Sequence, residues 1–206
     1  LRGDWRSAPP PVTLSPPAYE EAIGTLRKWL ERAQHEEFDL VSDIETTQRR
    51  FISVVGFSDS VSFAMAIPFL RATPGGLEDY WTVDQEAQIV ALIRQVLHHP
   101  NIKVIGQNYI YDTQYIQHWF GIMPHLDFDT MLAQNVLFPG TPKDLGYLSS
   151  LYCQYHWYWK DDVKDWGKIS NLQSLLDYNC IDCLRTYEIA QAQKQLICKA
   201  NGGVIL

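Results

Sequence analysis

The chain has 206 residues, 46% of them hydrophobic, and a formal charge of −7. That is enough apolar mass for one large core, and too acidic a balance to coat a duplex through a broad basic face, which needs many Lys and Arg contacts to phosphate. No run approaches the ~20 uninterrupted apolar residues of a membrane span, and the first residues lack the basic-then-apolar order of a signal peptide, so a soluble intracellular protein with no membrane partner is expected.

Residues 1–17 hold five prolines between Pro9 and Pro17 and little apolar periodicity, the mark of an extended leader or linker; residues 18–206 are read as one domain. Ser15 followed by Pro16 and Pro17 reads as a helix start, and Ala22, Leu26, Trp29, Leu30 and Ala33 recur at helical spacing to about Gln34. Residues 38–44, 51–57 and 61–67 are short runs of aromatic and branched side chains bounded by polar residues, and predict an antiparallel meander. Pro74, Gly75 and Gly76 mark residues 71–83 as a loop, followed by a helix over 83–97 with Asp84 as its N-cap.

Residues 102–105 form a compact apolar strand that turns at Gly106, Gln107 and Asn108 into a helix over 109–120. Helical patterns also cover 130–137, 143–151 and 172–199, joined by an irregular aromatic segment over 152–166. A meander followed by alternating helix and strand predicts an α/β domain, a mixed β-sheet flanked by α-helices of ribonuclease H-like architecture. Of the four cysteines, Cys180, Cys183 and Cys198 fall in one predicted helix and, with Cys153, show no framework spacing, so reduced thiols are expected; the CxxC of Cys180 and Cys183 has no second pair or nearby histidine to make a zinc site.

Asp43 and Glu45 end the first apolar strand two residues apart, so both project from one face while Ile44 points into the core. Side by side, two carboxylates repel unless a cation lies between them, which suggests a hard divalent metal; an exposed acidic strand end is the plain alternative. Asn108 and Asp112 lie four apart at a helix start, near the positive end of its dipole. An ordinary N-cap explains Asn108 but not Asp112, and Tyr111 beside it offers a ring on which a base can stack. Tyr178 and Asp182 are again four apart in the last helix, a phenol beside a carboxylate.

The order D-I-E-T-T at 43–47, G-Q-N-Y-I-Y-D at 106–112 and Y-N-C-I-D at 178–182 resembles the DEDD (DnaQ-like) exonuclease superfamily, in its tyrosine-bearing branch. Position 177 is aspartate, so the histidine version of the third motif does not fit. Phe128-Asp129-Thr130-Met131-Leu132 looks like the helix start that follows the second motif in family A DNA polymerases, and residues 143–151 resemble the next helix, so the likeness covers roughly residues 38–195.

The resemblance implies a metal-dependent 3′→5′ exonuclease that releases mononucleotides from single-stranded or frayed 3′ DNA ends, the proofreading domain of a DNA polymerase whose polymerase domain lies in the same or an associated chain. It implies a cell compartment that contains DNA, such as the cytoplasm of a bacterial or phage-infected cell. Two divalent cations, Mg²⁺ with Mn²⁺ as substitute, would be held by Asp43, Glu45, Asp112 and Asp182. Tyr178 would orient the attacking water without deprotonating it, since a free phenol has a pKa of about 10. Thr46 and Glu45 would meet the terminal 3′-hydroxyl, Gln107 and Asn108 the sugar-phosphate, and Tyr111 a base. Asp129 is read as a helix cap or a support behind the site. Lys160, Lys164 and Lys168 among the aromatic residues of 152–166 suggest a strand path tempered by Asp161, Asp162 and Asp165, against the plainer reading of a packed loop. A ribonuclease D-like RNA-trimming enzyme would use the same residues, and a silent binding module would be expected to have lost some of them.

Overall fold

A computed structural model describes residues 17–154 and 172–200. The expected leader, the three lysines and all but the first residues of the aromatic segment lie outside the described residues. The elements are α1 (Tyr19–Ala33), β1 (Phe38–Thr47), β2 (Phe51–Ser58), β3 (Ala64–Pro68), β4 (Leu70–Thr73), β5 (Gly76–Asp79), α2 (Val83–His98), β6 (Ile102–Gly106), α3 (Ile110–Phe120), β7 (Leu126–Asp129), α4 (Thr130–Leu137), α5 (Leu145–Tyr152) and α6 (Leu172–Ala200). Among the described residues no helix is long and apolar enough to cross a membrane.

The main sheet runs β3-β2-β1-β6-β7. Its first three strands form the expected antiparallel meander, and β1, β6 and β7 are parallel. Strand alternation divides the core in two. Phe38, Leu40 and Ile44 of β1 join a cluster with Leu26 and Trp29 of α1, Ile89 and Ile93 of α2 and Ile116 of α3. Val41, on the opposite face, joins Val54, Ala64, Ala66 and Ile105 under Leu175, Leu176, Cys180, Cys183 and Leu184 of α6. By the same alternation Asp39, Asp43 and Glu45 face α6. Asp39 accepts from Lys194 Nζ and Gln191 Nε2, each at 2.6 Å, while Asp43 meets Asn179 near the other end of the helix. The long helix therefore lies along β1 in the opposite direction.

Several boundaries differ from expectation. α1 starts at Tyr19, with Ala18 as a cap that makes no side-chain bond. Residues 71–83 are not simply a loop: β4 and β5 pair as a hairpin, with Gly76 at φ 125° supplying the turn. The cap of α2 is Thr82, not Asp84; Thr82 and Gln85 exchange backbone-to-side-chain bonds in a capping box, and Asp84 sits in the first turn, where the helix dipole favours a negative charge. β7 is a short strand that the pattern did not announce, because one parallel edge contact carries little periodicity. Cys153, Cys180, Cys183 and Cys198 are free thiols, and Cys180 and Cys183 serve as small buried hydrophobes beneath the sheet.

The close approach of α6 depends on small residues in the strands. Gly56 pairs with Asp43 on one side and Ala66 on the other, and a Cβ on it would lie 2.0 Å from Asn179 Oδ1 and 2.7 Å from Cys183 Sγ. Gly56→Ala should therefore lower unfolding free energy by about 1–3 kcal/mol, the usual range for overpacking, as read by urea denaturation; an unchanged midpoint would mean that α6 does not need the gap.

Candidate active site

Asp43 and Glu45 reach the site from the end of β1, where a register shift between Glu45 and Thr46 places a bulge, a device that re-aims side chains and ends pairing. Asp182 reaches it from α6. One carboxylate oxygen from each of Asp43, Glu45 and Asp182 falls within 4.8 Å of the other two, with Asp182 buried and the other two half-buried. Three hard oxygen donors at that separation suit a divalent cation of the Mg²⁺ or Mn²⁺ kind.

Tyr178, one turn before Asp182, hydrogen-bonds to it. Burial drives the phenol pKa well above its ordinary value, and the charges of Asp182, Glu45 and Asp43 push it further. At neutral pH the hydroxyl is therefore protonated and acts as a donor. Asn179, next in sequence, donates from Nδ2 to Asp43 Oδ2 at 2.8 Å. It is fully buried, and among the described residues its Oδ1 makes no hydrogen bond. Asn179 lies within the third motif, but its spacing there signals no role. The available signal was Gly56, a glycine inside an apolar strand, which marks close approach of another element.

Asp112 stands apart from the group of three. Its side chain is buried, and Oδ1 accepts from the backbone N–H of Ile44 at 2.9 Å, tying α3 to β1 between the two strand carboxylates. Burial pushes its pKa up to about 8, against the pull of the Ile44 N–H and with a smaller push from Asp129.

Asp129 is the cap of α4. Its Oδ1 accepts from Met131 N at 2.8 Å and Leu132 N at 3.2 Å, and the same carboxylate accepts from Asn108 N at 3.2 Å and Tyr109 N at 2.8 Å. One side chain thus joins a helix start to the turn after β6. That turn passes through Asn108 at φ 53°, the left-handed region that Asn tolerates better than most residues, so Asn108 precedes the helix and does not cap it. Its side chain is exposed, whereas Gln107 is half-buried, donating to Lys143 O at 2.7 Å and accepting from the Thr130 hydroxyl. Tyr111 is 38% exposed, and its hydroxyl lies 2.9 Å from the Thr46 hydroxyl, so the structure brings these two expected substrate contacts together at the rim of the acidic group.

The family model described as 3′-5′ exonuclease matches residues 21–197. Comparison with curated proteins by sequence finds no match. Among solved structures, the catalytic core of RRP6 from Trypanosoma brucei superposes with a TM-score of 0.66 at 18% identity, over 94% of this chain and 48% of that one. RNase D of Escherichia coli, an exoribonuclease involved in structured RNA processing, gives 0.63 at 14% identity over 94% and 46%. The POL domain of Pol1 from M. smegmatis, in complex with DNA primer-template and dNTP, gives 0.59 at 15% identity over 87% and 27%. The chain spans about half the length of the RRP6 and RNase D structures. The five-stranded mixed sheet flanked by helices is the ribonuclease H-like fold of these neighbours.

Two outcomes follow from the charges. Mg²⁺ or Mn²⁺ should raise the thermal midpoint of the protein by several degrees, roughly 1 kcal/mol or more, and the rise should vanish in Asp43→Asn, as scanning calorimetry can check. Asp112 has its folded pKa above its unfolded value, so its contribution is intact below about pH 4 and is lost as pH rises through about 8. In chelator, wild type should weaken over that window while Asp112→Asn stays flatter, by at least ~2 kcal/mol at the alkaline end; parallel pH profiles would contradict it.

Proposed function

Because the chain belongs to the 3′-5′ exonuclease family, within the DEDD superfamily, we propose that it removes nucleotides one at a time from the 3′ end of DNA as the proofreading domain of a DNA polymerase, in the tyrosine branch of the superfamily. The observation that carries the nuclease reading is the convergence of Asp43, Glu45 and Asp182 beside Tyr178. The DNA reading is supported by the G-Q-N-Y-I-Y-D and D-T-M-L sequences at 106–112 and 129–132 and by the likeness to a Pol1 structure.

Asp43, Glu45 and Asp182 would hold one divalent cation, and Asp43 with Asp112 a second. Such a pair supplies an activated water and relief of charge on the phosphoryl oxygens and the leaving 3′-oxygen. The protein's own part is placement. Asn179 fixes the rotamer of Asp43 by bonding one of its oxygens. Tyr178, held protonated, would turn its one hydroxyl proton from Asp182 to the attacking water once that carboxylate holds a cation, orienting the water and taking no proton from it. Thr46 and Tyr111, joined through their hydroxyls, form the rim on which the terminal nucleotide rests, the hydroxyls toward the sugar and the Tyr111 ring toward the base. Asn108 presents its amide beside them, and Gln107 contributes through the turn that it braces.

An RNA-trimming exonuclease is the second reading, favoured by the likeness to RNase D; the same carboxylates would serve, and only the choice of sugar differs. A catalytically silent module is disfavoured by the presence of Asp43, Glu45, Asp112, Tyr178 and Asp182 together.

The assay is digestion of a 3′-mismatched primer-template and of matched DNA and RNA single strands, with Mg²⁺ or with chelator. The proposal expects metal-dependent release of mononucleotides from the DNA 3′ ends, falling on the order of 10³-fold or more in Asp43→Ala, Glu45→Ala. Faster digestion of the RNA strand would replace proofreading with RNA trimming, and inactivity of the wild type on every strand would sink the enzyme reading.

A further inference from the structure

The outer face of α3 carries a ladder of aromatic rings, of which the site described so far uses only the first, Tyr111. Tyr111, Tyr115 and Trp119 are each four residues apart, so they rise along one face in steps of ~6 Å. Tyr111 and Tyr115 have ring centres 4.8 Å apart, and at the far end Trp119 packs on Phe51 at 5.1 Å. Trp119 is 43% exposed although it is a large aromatic residue.

The polar tips of the same rings reach across to the end of β1 and the turn between β1 and β2. The Thr46 and Tyr111 hydroxyls lie 2.9 Å apart, the Tyr115 hydroxyl donates to Arg49 O at 3.0 Å, and the Trp119 indole N–H donates to Arg50 O at 2.8 Å. Gln48 and Arg49 take left-handed backbone conformations, φ 53° and 51°; two bonds from α3 hold that turn in place, and the Tyr111 hydroxyl meets the end of β1 just before it. The side chains of Arg49 and Arg50 are exposed along the edge of the ladder, with the Arg50 guanidinium 5.7 Å from the centre of the Phe51 ring.

Charge sets this surface apart from the rest of the chain. The protein has 24 acidic and 17 basic residues, yet residues 46–58 contain no carboxylate and residues 102–126 contain only Asp112, which is buried. A strip of rings, Tyr111 and Trp119 exposed and Tyr115 half-buried, edged by two guanidinium groups and with no surface carboxylate on its own two segments, is the combination that single-stranded nucleic acid recognises, bases stacking on rings and phosphates meeting arginine.

We propose that the strand continues from the terminal nucleotide at Tyr111 along this ladder, over Tyr115 to Trp119, with Arg49 and Arg50 on its phosphates. The inference rests on the exonuclease reading above. The track is short, because Trp119 and Phe51 share a pocket with Asp79 and Glu86, whose charges turn a phosphate chain away there; roughly three nucleotides, the terminal one included and one to a ring, fit it.

The test compares binding of a dinucleotide and of a longer single strand to the full chain in Ca²⁺, which fills oxygen sites, using fluorescence anisotropy. Wild type should bind the longer strand at least about tenfold more tightly than the dinucleotide. Arg49→Gln, Arg50→Gln should lose most of that gain and should lower the slope of log affinity against log salt by about 1.4, for two phosphates. Trp119→Leu, checked for an unchanged thermal transition, should lose roughly tenfold on the longer strand. No gain with length in wild type, or equal affinity of the arginine variant for the longer strand, would overturn the track. Mg²⁺-dependent hydrolysis of the dinucleotide by the same wild-type preparation reports on the exonuclease reading separately, so the two can fail independently.

Discussion

The structure depends on one packing constraint: α6 must lie close enough to β1 and β2 to bring Asp182 beside Asp43 and Glu45. Three carboxylates with oxygens within 4.8 Å repel one another when no cation is present. The apolar contacts of Leu175, Leu176, Cys180, Cys183 and Leu184 with the sheet oppose that repulsion. The smallness of Gly56, Ala64 and Ala66 makes the approach possible. Asn179 sits at the tightest point, donating to Asp43 while its own oxygen makes no hydrogen bond among the described residues. A buried polar atom left unsatisfied carries a penalty, and here it accompanies the fixing of a carboxylate that would hold metal.

The other site elements are arranged from the opposite face. β6 runs parallel to β1 and ends at Gly106, level with the residues just before Asp43. A side chain at Gly106 would strike the Tyr109 ring, since a Cβ there falls 2.4 Å from it, so the strand can turn directly into α3. Asp129, at the end of the neighbouring parallel strand, gathers the N–H groups of Asn108 and Tyr109 and those of the α4 start. Asp112 is then carried to the backbone of Ile44, between the two strand carboxylates. Position at the carboxyl ends of the parallel strands β1 and β6 thus places the first two motifs at one end of the sheet, where α6 brings the third.

The parts of this arrangement that are local in sequence were legible from it. Two residues along a strand, or four along a helix, share a face whatever the surroundings, so the pairs Asp43 with Glu45 and Tyr178 with Asp182 could be read directly. The meander and the long helices announced themselves by period. What escaped depends on contacts between distant segments. Thr82 became the cap of α2 through an exchange with Gln85, where Asp84 was the expected one. The hairpin of β4 and β5 carries weak alternation because it is almost wholly exposed. The placement of Asp112 away from the three grouped carboxylates and the bond from Asn179 to Asp43 cannot be read from spacing, since both are set by how α3 and α6 dock on β1.

The central claim is that α6 and β1 together build a divalent-cation site. The most direct measurement is anomalous diffraction from crystals soaked in Mn²⁺, recorded on the wild type. The account predicts a peak within coordination distance of Asp43, Glu45 and Asp182, about 2–2.5 Å from their oxygens. A map with no peak there, or with Mn²⁺ bound only elsewhere on the acidic surface, would contradict it.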